Sequence, residues 1–225
     1  MKRTYKGDTI YLFGGQGYVN LIDYMGDDLA IVNAARKSLD IEKDIFDKND
    51  IKLLKYLWDN KHTSPFEMVE FKFAVKCPLF IARQWMRHRT WSYNEVSRRY
   101  TNENVEFFVP EILRKQSKDN KQASEGVHQD SIYWIDEMKD CNNTVIDLYN
   151  DLIGVGVCRE QARGILPQNM MVDFYAKVDL HNLIGFLRLR DHPHAQWEMQ
   201  EYARAIERLI APIVPETMKL FRGEK

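Results

Sequence analysis

Between Arg83 and Arg99 the chain carries five arginines (Arg83, Arg87, Arg89, Arg98, Arg99) and a single acid, Glu95. The whole sequence has a formal net charge of −1, so this positive charge is a local concentration. Guanidinium groups meet phosphates and carboxylates with paired donors, which makes such a cluster an anion site. His88, Asn94, Glu95 and Ser97 are interleaved with the arginines and supply donors and acceptors suited to a heterocycle or a ribose. A plain solvated basic face would use more lysine and would not need that mixture.

Other candidate chemistries are weaker. His88 lies between two arginines, whose repulsion disfavours its charged form; it reads as a donor at a turn, not as a general base. Cys77, Cys141 and Cys158 form no CxxC pair. Cys158, before Arg159 near a helix start, is the best of three poor candidates for a thiolate, and a small buried residue is the stronger reading. Ser97 lacks the G-x-S-x-G context of a nucleophile. His192 and His194 flank Pro193 without the further ligands a metal needs, so no metal site is expected. Gly14, Gly15 and Gly17 do not fit G-x-G-x-x-G and suit a hairpin turn better. Arg163 and Arg190 each adjoin apolar helical sequence, where they snorkel or pair with an acid such as Glu160 or Asp191. Trp85, Trp91, Tyr93 and Tyr100 among the arginines leave open a nucleic-acid surface. No long basic groove elsewhere in the sequence supports an extended strand.

The elements that must position these residues follow from periodicity. Helices are expected over 29–39, capped by Asp27 or Asp28, and over 49–60. Val69, Phe71, Phe73 and Val75 alternate with Glu70, Lys72 and Lys76, the pattern of a strand with one wet face. Cys77-Pro78 ends it and opens a helix on which Gln84, Arg87 and His88 share a face. The arginine run leaves that helix as a loop near 89–94. A short strand is expected over 105–109, and a mobile polar loop or lid over 114–129. Ser131 begins a long helix to Ile153 whose apolar stripe includes Ile132, Ile135, Met138, Val145, Leu148 and Leu152. A short helix with Arg159, Glu160 and Arg163 follows, then a strand over 174–178. Asp179 opens a helix ending near Arg190, and the last helix spans about 195–210, stopping before Pro212. The result is an α+β fold, helix-rich with few strands.

At 225 residues and 44% hydrophobic content the chain can bury one sizeable core. Its 29% of charged residues are nearly balanced in sign, against a general nucleic-acid or membrane-surface binder. Three widely spaced cysteines suit a reducing cytosol. Residues 1–8 are charged and carry no apolar core, so no secretory leader is expected there, and no apolar run approaches a membrane span.

Arg87-His88-Arg89, seven residues, then Ser97 resembles the RHR-x7-S signature of the flavin-dependent thymidylate synthases. Further blocks are similar to that family: His62-Thr63-Ser64-Pro65-Phe66-Glu67; Arg159-Glu160-Gln161-Ala162-Arg163 with Leu166-Pro167; Phe186-Leu187-Arg188-Leu189-Arg190; and His194-Ala195-Gln196-Trp197-Glu198. The likeness runs roughly from Val19 to Ile210. It implies one helix-rich α+β domain over 1–225, built around a small, mostly antiparallel sheet and assembling as a homotetramer with shared active sites. The activity it implies is methylation of dUMP to dTMP, with methylenetetrahydrofolate giving the carbon and NADPH reducing through FAD. By that resemblance Gln84, Arg87, Glu95, Ser97, Arg98, Arg99, Arg163 and Arg190 hold dUMP. Ser64, Arg87, His88, Arg89, Glu95, Asp179 and His181 fall at the FAD, and Arg190 is the catalytic arginine that activates the uracil ring. Asp179-Leu180-His181 stands where many relatives have Asn-x-Arg, and Gly185 where some have an amide or a histidine. A charged arginine cannot act as a proton reservoir but can stabilise charge developing on the ring. Two other readings compete: a non-enzymatic nucleotide- or RNA-binding module, and a flavoprotein that binds dUMP without turnover.

Overall fold

The computed structural model describes residues 7–223. The charged segment read as lacking a leader lies for the most part outside them. A five-stranded sheet organises the chain. Its members are β1 (Thr9–Leu12), β2 (Gly17–Met25), β3 (Glu70–Pro78), β4 (Ser92–Glu95) and β7 (Met171–Asp179). They lie in the order β1-β2-β3-β7-β4, with every neighbouring pair antiparallel. The glycine cluster is the hairpin between β1 and β2: Gly14 and Gly15 have φ of 64° and 89°, a region costly for side chains with a Cβ. β3 sits centrally, paired with β2 and along its whole length with β7. Phe71, Phe73, Val75 and Cys77 are buried, while Lys72 on the wet face lies over the Tyr175 ring.

Helices cover the buried face. α1 (Asp28–Arg36) is capped by Asp27, whose carboxylate accepts from the Ala30 amide at 3.0 Å. α2 (Lys48–Asp59) starts on a capping box made by Asp47 and Asp50. α6 (Leu180–Arg190) buries Leu180, Leu183, Ile184, Phe186 and Leu187. α7 (Trp197–Ile210) buries Met199, Tyr202, Ala203 and Ile206. These join the strand residues in one core. The fold is therefore α+β and helix-rich around a small antiparallel sheet, as expected.

Several local expectations are corrected. α3 (Leu79–Trp85) stops before Arg87 and His88, so these two are not on the helix that carries Gln84. The Tyr93 hydroxyl explains the stop: it donates to the carbonyls of Trp85 and His88, each at 3.1 Å, and holds the chain in a turn. The supposed loop after Arg89 becomes β4, paired with β7 from Ser92 opposite Lys177 to Glu95 opposite Phe174. The strand expected over 105–109 shrinks to a single bridge between Phe107 and Met170.

The polar segment over 114–129 is a two-stranded hairpin, β5 (Arg114–Gln116) with β6 (Ser124–Val127). It has no buried face, so it shows no alternation in the sequence. An eighth helix, α8 (Pro215–Arg222), follows the supposed last one. Its cap comes from far away: the Asp28 carboxylate accepts from the Glu216 amide at 2.7 Å and the Thr217 amide at 3.1 Å. A cap supplied across the fold leaves no mark in local sequence. α4 (Ser131–Gly154) forms as expected, but its apolar stripe is only partly covered: Ile135 is buried, Met138, Val145 and Leu152 are half-buried, and Ile132 and Leu148 are exposed. Ile132 is 80% exposed, and outside the stripe Tyr133 and Trp134 are exposed too, while Tyr149 packs inward with Ile135.

Candidate active site

The turn after α3 and the end of α6 meet, and this brings together residues far apart in sequence. The Arg190 Nε donates to the His88 Nε2 at 3.0 Å, and its Nη2 donates to the Gln84 carbonyl at 2.7 Å. Arg190 makes no ion pair among the described residues. Asp191, one of the acids considered for it, accepts instead from the Arg204 Nε at 2.7 Å. A half-buried guanidinium held by neutral acceptors keeps its full charge available to a ligand.

His88 must be neutral to accept from Arg190. Burial, and then the Arg190 charge, push its pKa from 6.5 down to about 4. Burial is the larger cause, and the arginine that acts on it is Arg190, not the flanking Arg87 and Arg89. The role is also reversed, since His88 accepts where a donor was expected. Between these pH values the unfolded chain binds a proton that the folded chain does not, so His88 contributes a loss of stability as pH falls from about 6.5 toward 4. Above 6.5 it contributes no slope. The expected result for His88→Gln, which keeps an acceptor but does not titrate, is a flatter stability profile over that window in urea denaturation. An unchanged slope would contradict the buried neutral state.

The other expected site residues fall into three groups. Gln84 is half-buried beside the Arg190 contact, and Arg87 and Arg89 are exposed without an ion pair among the described residues. Arg99 lies 3.8 Å from Glu160 at the start of α5 (Arg159–Ala162), with exposed Arg163 capping that helix at its other end. An exposed pair of this kind holds Arg99 only weakly. Ser97 accepts from the Arg99 amide at 3.3 Å, which leaves its hydroxyl proton free to donate outward. Partial desolvation at the end of β4 pushes the Glu95 carboxyl above its usual range, against the pull of Arg98.

Arg98 stands apart. It donates to the carbonyls of Glu103 and Asn104 and lines a polar cavity of about 420 Å³ with Tyr18, Lys76 and Asp173, on which Gln84, His88 and Arg190 do not border. The third group lies around a groove of about 530 Å³ between the chain after α2 and the face of α6, lined by His62, Thr63, His181, Asn182, Gly185 and Arg188. Ser64 is exposed in the turn beside it. Asp179 caps α6, accepting from the Asn182 amide at 2.9 Å and the Asn182 Nδ2 at 2.6 Å. Its carboxylate is thus occupied within the helix start and sets the position of His181.

The aromatic residues of the run do not form a stacking platform. Trp85 and Trp91 are buried and Tyr93 points inward, so only Tyr100 is well exposed. Burial pushes the Cys77 thiol well above its ordinary range, which keeps it protonated. Cys158 is exposed at the N-cap position of α5, not the buried residue expected, and its thiol makes no capping bond to the helix backbone. No group of three or more His, Cys, Asp or Glu among the described residues is arranged to hold a metal ion. Sequence reading missed Gln196 and Glu198, which connect to Gln84; the similarity of the block from His194 to Glu198 was the only signal for them.

Comparison with known proteins finds relatives over most of the chain. A family model described as thymidylate synthase complementing protein matches residues 20–216. A flavin-dependent thymidylate synthase from Thermus thermophilus is 50% identical over 200 residues, covering 89% of this chain and 73% of that protein. Another, from Thermosipho africanus, is 40% identical over 210 residues, covering 92% and 91%. The crystal structure of a UMP/dUMP methylase, PolB from Streptomyces cacaoi bound with 5-Br dUMP, superposes with a TM-score of 0.84 at 31% identity, covering 98% of this chain and 97% of that one. With the signature arginines gathered around one turn and half the residues shared with a named relative across most of its length, this chain belongs to the flavin-dependent thymidylate synthase family.

Proposed function

We propose that this protein methylates dUMP to dTMP, taking the carbon from methylenetetrahydrofolate and the electrons from NADPH by way of FAD. The single observation that carries the reading is Arg190, a half-buried cation oriented by His88 and Gln84 with no carboxylate to neutralise it among the described residues. Such a group stabilises negative charge that develops on a uracil ring during electrophilic substitution, and it needs no enzyme thiol. Gln84, Arg87, Glu95, Ser97, Arg99 and Arg163 are the further dUMP ligands in this proposal. Ser97 and Arg99 together give a phosphate dianion charge-assisted bonds. Arg98 enters only by leaving its present carbonyl partners.

The residues present fit a flavin dinucleotide. Arg87 and Arg89 are cations without an ion pair among the described residues and suit its diphosphate, and the groove at His181 and Asn182 is open and mixed in polarity. Ser64, Arg87, His88, Arg89, Glu95 and His181 would hold it, with Asp179 acting through the α6 start. When bound, FAD supplies the hydride chemistry, while the protein orients the substrate and excludes competing reactions.

The reading includes one domain spanning the chain and a homotetramer with shared sites. The exposed large apolar side chains of α4, Ile132, Tyr133, Trp134 and Leu148, with exposed Val155 just beyond the helix, suit a subunit that packs against copies of itself. Cytoplasmic operation accords with three free cysteines. No helix among the described residues is long and apolar enough to cross a membrane.

The test is turnover. Protein reconstituted with FAD should lose flavin absorbance on anaerobic addition of NADPH and form dTMP only when dUMP and the folate are both present, with UMP as the comparison substrate. A protein that takes up no FAD yet retards RNA would favour the binding-module reading; one that takes up FAD and dUMP but makes no dTMP would favour the flavoprotein without turnover. In the same assay Ser97→Ala should raise the Kd for dUMP by about tenfold, the loss of one charge-assisted hydrogen bond, with a smaller effect on the maximal rate. Complete inactivity at normal dUMP affinity would assign Ser97 a chemical role instead.

A further inference from the structure

A polar relay runs from the foot of the β5–β6 hairpin to Gln84. The Arg114 Nη2 donates to the Glu198 Oε1 at 2.6 Å, and its guanidinium lies over the Trp197 ring at 4.8 Å. The Gln196 Nε2 donates to the Glu198 Oε2 at 2.9 Å. The Gln84 Nε2 then donates to the Gln196 Oε1 at 2.6 Å. Glu198 is buried at 4% exposure, and the Gln200 Nε2 pins the neighbouring Ala195 carbonyl at 2.8 Å.

The direction of this relay is forced by chemistry. Arginine only donates and an ionised carboxylate only accepts. Glu198 therefore obliges Gln196 to turn its NH2 group toward it and its carbonyl toward Gln84. Gln84 in turn must give its NH2 to Gln196, which leaves its Oε1 and one remaining N–H for a ligand. A carboxamide left to itself has two orientations of similar shape and opposite hydrogen-bonding character. We propose that Glu198, anchored by Arg114, is a positioning residue that fixes which way the Gln84 carboxamide faces dUMP. The proposal rests on the reading of Gln84 as a dUMP ligand.

Replacing Glu198 by glutamine inverts the relay. The new amide gives its carbonyl to Arg114 and its NH2 to Gln196, which flips, and Gln84 flips in response. Exchanging both residues, Glu198→Gln with Gln196→Glu, restores the original sense. The introduced amide then donates to the introduced carboxylate, and that carboxylate accepts from Gln84.

The experiment is calorimetric titration of dUMP into the FAD-loaded protein, with steady-state kinetics alongside. E198Q should raise the Kd and KM for dUMP about tenfold and change kcat by less than about threefold, with FAD retained. The double exchange should return the Kd to within about threefold of wild type, a coupling that loss of packing would not produce. Unchanged dUMP affinity in E198Q overturns the proposal, as does a double exchange no better than the single one. Wild-type protein that binds FAD but no dUMP overturns the substrate reading itself, and the positioning role with it.

Discussion

Arg190→Ala should abolish dTMP formation while leaving FAD bound. The expected loss in kcat is about 10³-fold, the upper range for removing a donor aimed at developing charge. Arg190 is suited to this because its orientation is imposed twice, by the His88 imidazole and by the Gln84 carbonyl. Arg190→Lys should recover little, since a single ammonium cannot satisfy both acceptors and the ligand in one plane. Single-turnover product assays with retained flavin absorbance provide the check. Undiminished dTMP production would remove Arg190 from the chemistry.

Trp85→Ala should cost about 3–5 kcal/mol of stability, the range for deleting a large aromatic side chain from a core. Trp85 is fully buried at the end of α3, with ring centroids 5.1 Å from Phe186, 5.6 Å from Phe174, 5.8 Å from Trp91 and 6.0 Å from Tyr202. It thus joins α3, the approach to β4, β7, α6 and α7 beneath the turn that carries Arg87 and His88. The cavity would loosen α6 against α3, so the Arg190 contacts should weaken along with the fold. Urea denaturation of wild type and variant measures the first effect, and a Tm lowered by about 10 °C would accompany it in a chain of this size. A loss below about 1 kcal/mol would show that the aromatic cluster is not the support it is argued to be.

What the sequence made legible was local. The apolar alternation from Val69 to Val75, the caps at Asp27 and Asp179 and the glycine hairpin all depend on neighbours in the chain. β4 was hidden because Ser92 to Glu95 carries little apolar pattern and forms by pairing with β7, far later in the chain. The fold of the 114–127 hairpin was hidden for a related reason: it rests on polar contacts at its foot, Arg114 to Glu198 and the Leu113 amide to the Ser131 hydroxyl. At the site, the arginine run points to an anion-binding surface, and the family resemblance adds Arg190 to the proposed ligands. Composition and spacing did not reveal that His88 would be the acceptor holding Arg190, or that Arg98 would turn to the backbone of Glu103 and Asn104. Both outcomes depend on contacts made only after the strands and helices have packed.

The most direct measurement is a titration of dUMP into FAD-loaded protein, followed at once by heat and by flavin absorbance. Saturable binding with a matching spectral change is the predicted result, because the arginine cluster is held to place the nucleotide against the flavin. Neither heat nor spectral change, from protein that retains its flavin, would contradict that arrangement.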